Sequence, residues 1–231
     1  MKTASPAQDA AKRAAADYAA AEVADGMVLG LGSGSTAELA VAALAERVAK
    51  GLRIAGVPTS ERTAVLARKL GVPLTDFAAH RRLDLTIDGA DQVERGSLDL
   101  VKGLGGALLR EKIVAAASGR MMVVVDETKI VDRLGGAVPL PVEIVRFGWE
   151  TTFARLAEAG LKPRLRMVAG AAFVTDGGNH IADCMLAPID DAKALEARIK
   201  AITGVVETGL FLGLATEVVV GHSGGVDVLG R

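Results

Sequence analysis

Apolar residues in the first part of the chain form short runs that alternate with stretches of helical periodicity. The runs are nearly continuous, as in strands that are buried on both faces. They predict strands over residues 27–31, 52–57, 72–75, 83–87 and 121–125, and the stretches around them predict helices over 8–24, 38–49, 61–70 and 107–117. Strands that alternate with helices indicate a mostly parallel sheet with helices on both faces.

The pattern changes after residue 136. It predicts a strand over 142–145, a helix over 149–159, strands over 171–175 and 180–186, and a helix over 190–202. The turn DGGN between the two adjacent strands contains glycines that accept positive φ, so these strands are predicted to form a hairpin. The order βαββαβ indicates a smaller α+β lobe over residues 137–204. Short strands over 204–214 and 218–220 are expected to rejoin the first sheet, so the first lobe takes residues 1–136 and 205–231.

The composition argues against several classes of partner. The chain of 231 residues is 50% apolar, which is enough for a buried core, and its formal net charge is −1. This charge supplies no basic field for nucleic acid, and 3% aromatic residues supply few stacking platforms. No apolar run reaches the ~18 residues of a membrane-spanning helix, and the polar amino end differs from a signal peptide. We therefore expect a cytoplasmic protein that binds neither nucleic acid nor membrane.

A loop rich in glycine and hydroxyl groups, GLGSGSTA over residues 30–37, joins the first strand to the second helix. Its N–H groups, its hydroxyls and the positive end of the helix dipole together favour a phosphate. A nucleoside triphosphate is disfavoured because Ser35, rather than Lys, follows Gly34. The spacing of Gly32, Gly34 and Ala37 also fits a dinucleotide fingerprint, but the second strand ends without the acidic residue that binds ribose hydroxyls. A phosphomonoester is favoured, and a dinucleotide remains the alternative.

A second group of polar residues lies between residues 83 and 114. Asp88 is predicted at the carboxyl end of a buried strand, where open α/β sheets bind ligands, and Asp91 follows in the string DGAD. Lys102 precedes a glycine cluster that permits close approach of a ligand, and Glu111 lies one turn into the next helix. Each motif alone is more often a turn or a solvated helix face. Their closeness in the chain, together with the upstream loop, favours a site.

The residue types limit the chemistry of this site. The histidines His80, His180 and His222 lack metal-ligand spacing, and Cys184 has the setting of a small core residue. Neither an HExxH motif nor a GxSxG elbow occurs. A phosphate loop, carboxylates and lysine instead suit proton transfer beside a carbonyl, in which a carboxylate takes the proton and a cation stabilises the enolate oxygen. We expect no metal site.

Several strings, in chain order, carry a family resemblance: GLGSGSTAELA, TIDGADQV, KGLGGALLREKIVA, VVDETK, PLPVEIV, TDGGNHIAD and GVVETGLFLG. From about residue 8 to residue 220 the chain resembles ribose-5-phosphate isomerase of the A type. The resemblance implies interconversion of D-ribose 5-phosphate and D-ribulose 5-phosphate through an enediol, in the non-oxidative branch of the pentose phosphate pathway, without metal or organic cofactor. It also implies a Rossmann-like lobe with a smaller inserted ferredoxin-like α+β lobe, and a homodimer or higher oligomer.

The matching strings imply roles for individual residues. Glu111 in REKI would be the general base, Asp88 would shuttle hydroxyl protons and assist ring opening, and Lys102 would stabilise the oxyanion. Lys129 in DETK and Lys12 in the first helix would add positive charge around the ligand. The residues implied to contact the substrate are Ser33, Gly34, Ser35, Thr36, Asp88, Gly89, Ala90, Asp91, Lys102, Gly103, Leu104, Gly105, Lys129 and Lys12.

Two positions depart from the family pattern. Ser33 stands where the phosphate loop usually has Thr, which keeps the hydroxyl and loses a methyl group. Leu104 stands where Gly or Arg is usual, and a leucine cannot repeat an arginine contact. The edge of the pocket is therefore expected to differ.

Two other functions are weighed against the isomerase. A non-enzymatic sugar-phosphate sensor would keep the loop and lose the catalytic acids, whereas this chain has both. An NAD-dependent dehydrogenase would use the loop over 30–37 as a dinucleotide site.

Overall fold

The computed structural model describes residues 5–230. Within them the helices are α1 (Pro6–Ala21), α2 (Ser35–Val48), α3 (Glu61–Leu70), α4 (Leu108–Ala116), α5 (Trp149–Glu158) and α6 (Ala192–Lys200). The strands are β1 (Val28–Leu31), β2 (Ala55–Pro58), β3 (Leu83–Asp88), β4 (Gln92–Glu94), β5 (Leu100–Val101), β6 (Ser118–Asp126), β7 (Ile130–Val131), β8 (Leu140–Ile144), β9 (Pro163–Leu165), β10 (Met167–Val168), β11 (Ala171–Ala172), β12 (His180–Cys184), β13 (Val205–Thr208), β14 (Leu210–Phe211), β15 (Glu217–His222) and β16 (Gly225–Gly230). A 3₁₀ turn covers Glu127–Lys129.

The chain divides into two compact units with boundaries that differ from the predicted ones. Unit 1 comprises Met1–Ala90, Glu111–Ile130 and Leu214–Arg231, and unit 2 comprises Asp91–Arg110 and Val131–Gly213. The smaller unit therefore contains, besides the predicted residues 137–204, the segments 91–110, 131–136 and 205–213. Strand pairing explains the correction, because β14 pairs with β5 and so joins segments on both sides of that lobe.

Unit 1 is built on a six-stranded sheet in the order β16-β15-β6-β3-β1-β2. All neighbours are parallel except β16, which pairs antiparallel with β15 at one edge. This sheet confirms the predicted Rossmann-like, mostly parallel lobe. The chain places β2 on one side of β1 and β3 on the other, so the strand order reverses between β1 and β3. Ligands of open α/β sheets bind at such a reversal.

Helix α1 approaches this sheet closely because its buried face is made of alanine. Ala15, Ala16 and Ala19 are fully buried in the core of unit 1. On β15, a Cβ added to Gly221 would lie 1.9 Å from the carbonyl oxygen of Ala11. Only glycine permits this approach of helix backbone to strand.

Unit 2 contains a four-stranded antiparallel sheet in the order β13-β8-β12-β9. Leu156 of α5 and Ile199 of α6 are buried in one cluster with Leu140 and Ile144 of β8. The element order β8-α5-β9-β12-α6-β13 is the predicted βαββαβ order, with the small β10-β11 pair inserted after β9. A further sheet in the same unit pairs β14 with β5 and β5 with β4.

Three predicted strand assignments are wrong in part. Residues 72–75 form a single bridge, from Leu74 to Gly56, rather than a strand. The DGGN turn is present, but β12 pairs with β8 and β9 while β11 pairs with β10, so the turn does not close a hairpin. Residues 204–214 form β13 and β14, which join the sheets of unit 2 rather than the first sheet. The predicted return to the first sheet is made by β15.

Candidate active site

The predicted phosphate loop begins at the reversal of strand order in unit 1. The Gly32 N–H donates to the carbonyl of Ile87 (2.9 Å), which fastens the end of β1 to β3. A Cβ on Gly32 would lie 2.3 Å from Asp88 Oδ1. The loop and Asp88 are therefore in direct contact, and this contact requires glycine.

The loop runs straight into helix α2, which begins at Ser35, three residues earlier than the helix predicted over 38–49. The N-cap residue Gly34 has φ 98° and provides no side-chain cap for the helix. Ser35 is exposed, and Thr36 is buried in the first turn. Uncapped N–H groups and hydroxyls at a helix amino end are suited to bind phosphate.

Ser33 and Asp88 bond to each other inside unit 1. Asp88 is 0% exposed, and its Oδ1 accepts hydrogen bonds from the N–H groups of Ser33 (3.0 Å) and Gly89 (2.7 Å). The Ser33 hydroxyl lies 2.7 Å from that of Ser60 and 2.8 Å from that of Thr59. The expected hydroxyl contact from Ser33 to phosphate therefore competes with bonds that the folded protein already makes. The adjoining Gly89 and Ala90 are half-buried.

Glu111 lies in α4, whose position in unit 1 is fixed by Val114. A Cβ on Gly30 would lie 2.4 Å from Val114 Cγ1, so this face of the helix packs directly on β1. Glu111 is one turn before Val114 on the same face, and a helix that connects parallel strands has its amino end at their carboxyl edge. Glu111, only 5% exposed as a residue, thus belongs to the edge that holds Asp88 and the phosphate loop.

Lys12 and Lys129 flank the carboxyl end of β6. Asp126, the last residue of that strand, is buried and accepts hydrogen bonds from Gln8 (3.2 Å) and from the Thr128 N–H (3.1 Å). Burial alone would raise the pKa of Asp126, but these hydrogen bonds and the charge of Lys12 lower it on balance. Lys129 ends the 3₁₀ turn and is half-buried. Both lysines belong to unit 1, as do the loop and Asp88.

Lys102 belongs to unit 2 and is 2% exposed. Its N–H donates to the carbonyl of Gly209 (2.8 Å), and its Nζ lies 5.5 Å from the centre of the Phe211 ring. A Cβ on Gly209 would be 2.3 Å from the Lys102 carbonyl oxygen. Gly209 and Phe211, both in the string GVVETGLFLG, therefore hold Lys102 in place.

The KGLG segment is also tied to Asp91. Asp91 Oδ2 accepts the N–H of Leu104 (2.9 Å), and the Asp91 N–H donates to the carbonyl of Val101 (2.9 Å). Gly103 has φ 103°, a conformation that favours glycine. Leu104, the departure from the family pattern, is exposed. Asp91 and residues 102–105 thus form one bonded loop.

Arg166 is a supporting residue of this loop that sequence reasoning missed. Its Nη1 donates to the carbonyls of Gly103 (2.9 Å) and Leu104 (3.0 Å), and its guanidinium forms a two-pronged pair with Asp183. A lone arginine between two short strands carries no local signal of this role. A second missed residue, Glu143, is buried and accepts hydrogen bonds from Thr175 and Asn179, each 2.9 Å.

The predicted site residues are thus divided between the units. Unit 1 carries Ser33, Gly34, Ser35, Thr36, Asp88, Gly89, Ala90, Glu111, Lys12 and Lys129, and unit 2 carries Asp91, Lys102, Gly103, Leu104 and Gly105. Two of the division points, 90/91 and 110/111, fall inside the strings DGAD and REKI.

Residues 5–230 contain no group of three or more His, Cys, Asp or Glu side chains that could hold a metal ion. None of the helices in the described part of the chain is long and apolar enough to cross a membrane.

The fold and the loop at its reversal of strand order are those of an α/β protein with a loop suited to bind phosphate. Residues 55–225 match the family model of ribose 5-phosphate isomerase A (phosphoriboisomerase A). A ribose-5-phosphate isomerase A from Gloeobacter violaceus is 55% identical over 221 residues, with 96% of each chain covered. The chain belongs to the ribose 5-phosphate isomerase A family.

Solved structures agree with this membership. Ribose 5-phosphate isomerase A from Methanocaldococcus jannaschii is 38% identical, with a TM-score of 0.91 over 95% of this chain and 98% of that one. A D-ribose-5-phosphate isomerase in complex with phospho-erythronic acid is 37% identical, with a TM-score of 0.91 over 95% of this chain and 97% of that one. The isomerase prediction is confirmed over the sensor and the dehydrogenase.

Proposed function

We propose that this isomerase interconverts D-ribose 5-phosphate and D-ribulose 5-phosphate by proton transfer through a cis-enediolate, with Glu111 as the general base. Glu111 would take the proton from C2 of the open-chain aldose and return it to C1, while the proton of the C2 hydroxyl moves to the C1 oxygen. The observation that carries this proposal is the buried Glu111 carboxylate, one helix turn from the Val114 contact and at the carboxyl edge of the sheet. One carboxylate can serve both carbons because they present the same face in a cis-enediol.

The phosphate group would bind at the amino end of α2. Phosphate accepts hydrogen bonds and carries negative charge, so it suits the N–H groups of the first turn and the hydroxyls of Ser35 and Thr36. Lys12 and Lys129 would add positive charge. These contacts are made equally to substrate and transition state, so they are expected to govern KM rather than kcat.

The remaining groups would act on the sugar oxygens. Asp88 would shuttle hydroxyl protons and assist ring opening, since two N–H donors hold its Oδ1 and fix the orientation of the carboxylate. Lys102 would stabilise the oxyanion that develops at the carbonyl oxygen. Asp91, with the loop from Lys102 to Gly105, would contact the sugar hydroxyls.

The phospho-erythronic acid bound in the similar solved structure supports this assignment. That ligand is a four-carbon sugar acid with a phosphate, and its planar carboxylate places two oxygens much as the enediolate does. A protein that binds both ends of such a molecule needs a phosphate site and a polar group for an oxyanion. The two halves of the proposed site supply these.

The test is turnover in deuterated water by wild type and by Glu111→Gln, with and without exhaustive EDTA treatment. Solvent deuterium should appear at the carbon that receives the proton, and Glu111→Gln should lower kcat by ~10² to 10⁴ while KM changes by no more than a few fold. Glu46→Gln, an exposed change on α2, is the matched control.

Near-wild-type kcat in Glu111→Gln would move the base to Asp88. Loss of turnover in EDTA, restored by a divalent ion, would point instead to a metal-dependent hydride shift.

We also propose that the enzyme works in the cytoplasm as a homodimer or higher oligomer. Its phosphorylated substrates favour that compartment, and in unit 2 Phe147 is 96% exposed and Met167 and Val168 are more than half exposed. Apolar side chains of this kind favour self-association. Cell fractionation and light scattering test the two parts, and a monomer at micromolar concentration would contradict the second.

A further inference from the structure

A chain of four hydroxyl groups lies beneath the phosphate loop in unit 1. It links Ser33 in the loop to Thr59, Ser60 and Thr63, which follow β2 and enter α3. Thr59 and Thr63 are fully buried and Ser60 is nearly so. The sequence pattern assigned none of these last three residues to the site.

The single proton of each hydroxyl gives this chain a direction. Ser33 donates to Ser60 (2.7 Å), Ser60 donates to Thr63 (3.0 Å), and Thr63 donates to the carbonyl of Gly32 (3.0 Å). Thr59 lies 2.8 Å from the Ser33 oxygen, and its own proton is used in the bond to the carbonyl of Leu31 (3.1 Å). The Ser33 hydroxyl proton is therefore used inside the protein.

The Ser33 N–H is also used, since it donates to Asp88 Oδ1 at 3.0 Å. A phosphate dianion accepts hydrogen bonds and offers none. Ser33 could donate to it only by giving up Ser60 or Asp88. Neither exchange is needed, because Ser35, Thr36 and the first N–H groups of α2 lie two to four residues further on.

We infer that Ser33 is a positioning residue rather than a phosphate ligand, and that Thr63 and Ser60 hold the loop in its binding conformation through it. The inference rests on the proposed phosphate site and deepens it. The chain ends on the carbonyl of Gly32, and Thr59 reaches that of Leu31 (3.1 Å), so both peptide planes before Ser33 are fixed. Fixing these planes orients the N–H groups that follow.

This role explains why Ser replaces the usual Thr at position 33 without loss of the site. The bonds to Ser60 and Thr59 need a hydroxyl, and serine provides one. The hydroxyl, rather than a methyl group, is thus the required feature at this position.

The experiment is a double-mutant cycle, read as the competitive inhibition constant Ki of inorganic phosphate together with KM and kcat for ribose 5-phosphate. Ser33→Ala and Thr63→Val should each raise Ki and KM by about three- to tenfold with little change in kcat. The double mutant should be only slightly worse than either, because both changes break the same chain. Ser35→Ala combined with Thr63→Val should instead multiply their effects.

Matched variants separate positioning from a general loss of stability. Thr63→Ser and Ser33→Thr keep the hydroxyl and should stay within about twofold of wild type. Thr152→Val removes a buried hydroxyl bond in unit 2, to the carbonyl of Thr203 (3.2 Å), and should leave Ki unchanged at a comparable Tm.

Three outcomes overturn the inference. Independent effects of Ser33→Ala and Thr63→Val, or a Ki for Thr63→Val no higher than that for Thr152→Val, would return Ser33 to the set of phosphate ligands. An unchanged Ki in Ser35→Ala would remove the phosphate role of the whole loop, and the positioning role with it.

Discussion

Units 1 and 2 hold their candidate site residues in different ways. In unit 1, Asp88 and the phosphate loop are held by backbone N–H and carbonyl groups at the ends of neighbouring strands and by the hydroxyl groups beneath the loop. In unit 2, Lys102 and the loop behind it are held by side chains from distant parts of the chain, Phe211 and Arg166. The first set is thus held by short polar groups beside the strand ends, whereas the second set is held by an aromatic ring and an arginine.

Among changes in unit 2, we expect the largest effect on kcat when the charge of Lys102 is removed. Lys102→Met keeps the stem and removes the ammonium group, so kcat should fall by ~10² to 10³ with KM within a few fold, because the oxyanion is fully formed only near the transition state. Steady-state kinetics measure this. Lys193→Met, an exposed lysine of α6, is the control. A kcat within threefold of wild type would remove Lys102 from the chemistry.

The close packing of unit 1 around β1 can be broken at Gly30. In Gly30→Ala the new Cβ would lie 2.0 Å from Thr86 Oγ1 and 2.4 Å from Val114 Cγ1, so α4 must move and carry Glu111 with it. We expect a loss of ~1 to 3 kcal/mol in the free energy of unfolding and a lower kcat. Urea titration and kinetics check both. Gly230→Ala, whose Cβ would meet open space, should leave both unchanged.

The side-chain support of unit 2 can be broken at Arg166. Arg166→Met removes the donors to the carbonyls of Gly103 and Leu104, so the loop should lose its fixed form and kcat/KM should fall by about tenfold. Arg164→Met, an exposed position two residues earlier on β9, is the matched control. Equal kcat/KM in the two variants would show that Asp91 alone holds the loop.

The smallest effect concerns pH and Glu143 in unit 2. Burial raises the pKa of Glu143 above its ordinary value of 4.5, although hydrogen bonds from Asn179 and Thr175 oppose the shift. The folded protein therefore binds this proton more tightly than the unfolded chain. The resulting stabilisation is fully present below pH 4.5 and is lost as the pH rises through the folded-state pKa.

Glu143→Gln should remove this pH dependence. The Tm of wild type minus that of the variant should decrease from pH 4 to neutral pH, as thermal melts at a series of pH values would measure. Glu150→Gln, an exposed change on α5, should give a constant difference. If the difference in Tm between wild type and Glu143→Gln were also constant with pH, it would contradict the raised pKa of Glu143.

Local sequence was sufficient for much of unit 1. Helix α3 was predicted over residues 61–70, and the structure has it there, because Ser60 caps its start and Gly71 ends it in the left-handed conformation. The glycine loop after β1 and the aspartate at the end of β3 were also readable from sequence. A cap, a turn glycine and a strand end are set by residues within a few positions of one another.

The tertiary structure alone decided which strands pair and which side chains support the site. The DGGN turn predicted a hairpin, yet β12 pairs with β8 and β9. The periodicity of apolar residues indicates which faces of a strand are buried, but it does not indicate which strands pair with it. The hydroxyl bonds of Ser33 and the bonds of Arg166 to the KGLG loop span 26 to 63 residues of chain. Contacts of that length leave no local pattern, because they exist only once the sheets have assembled.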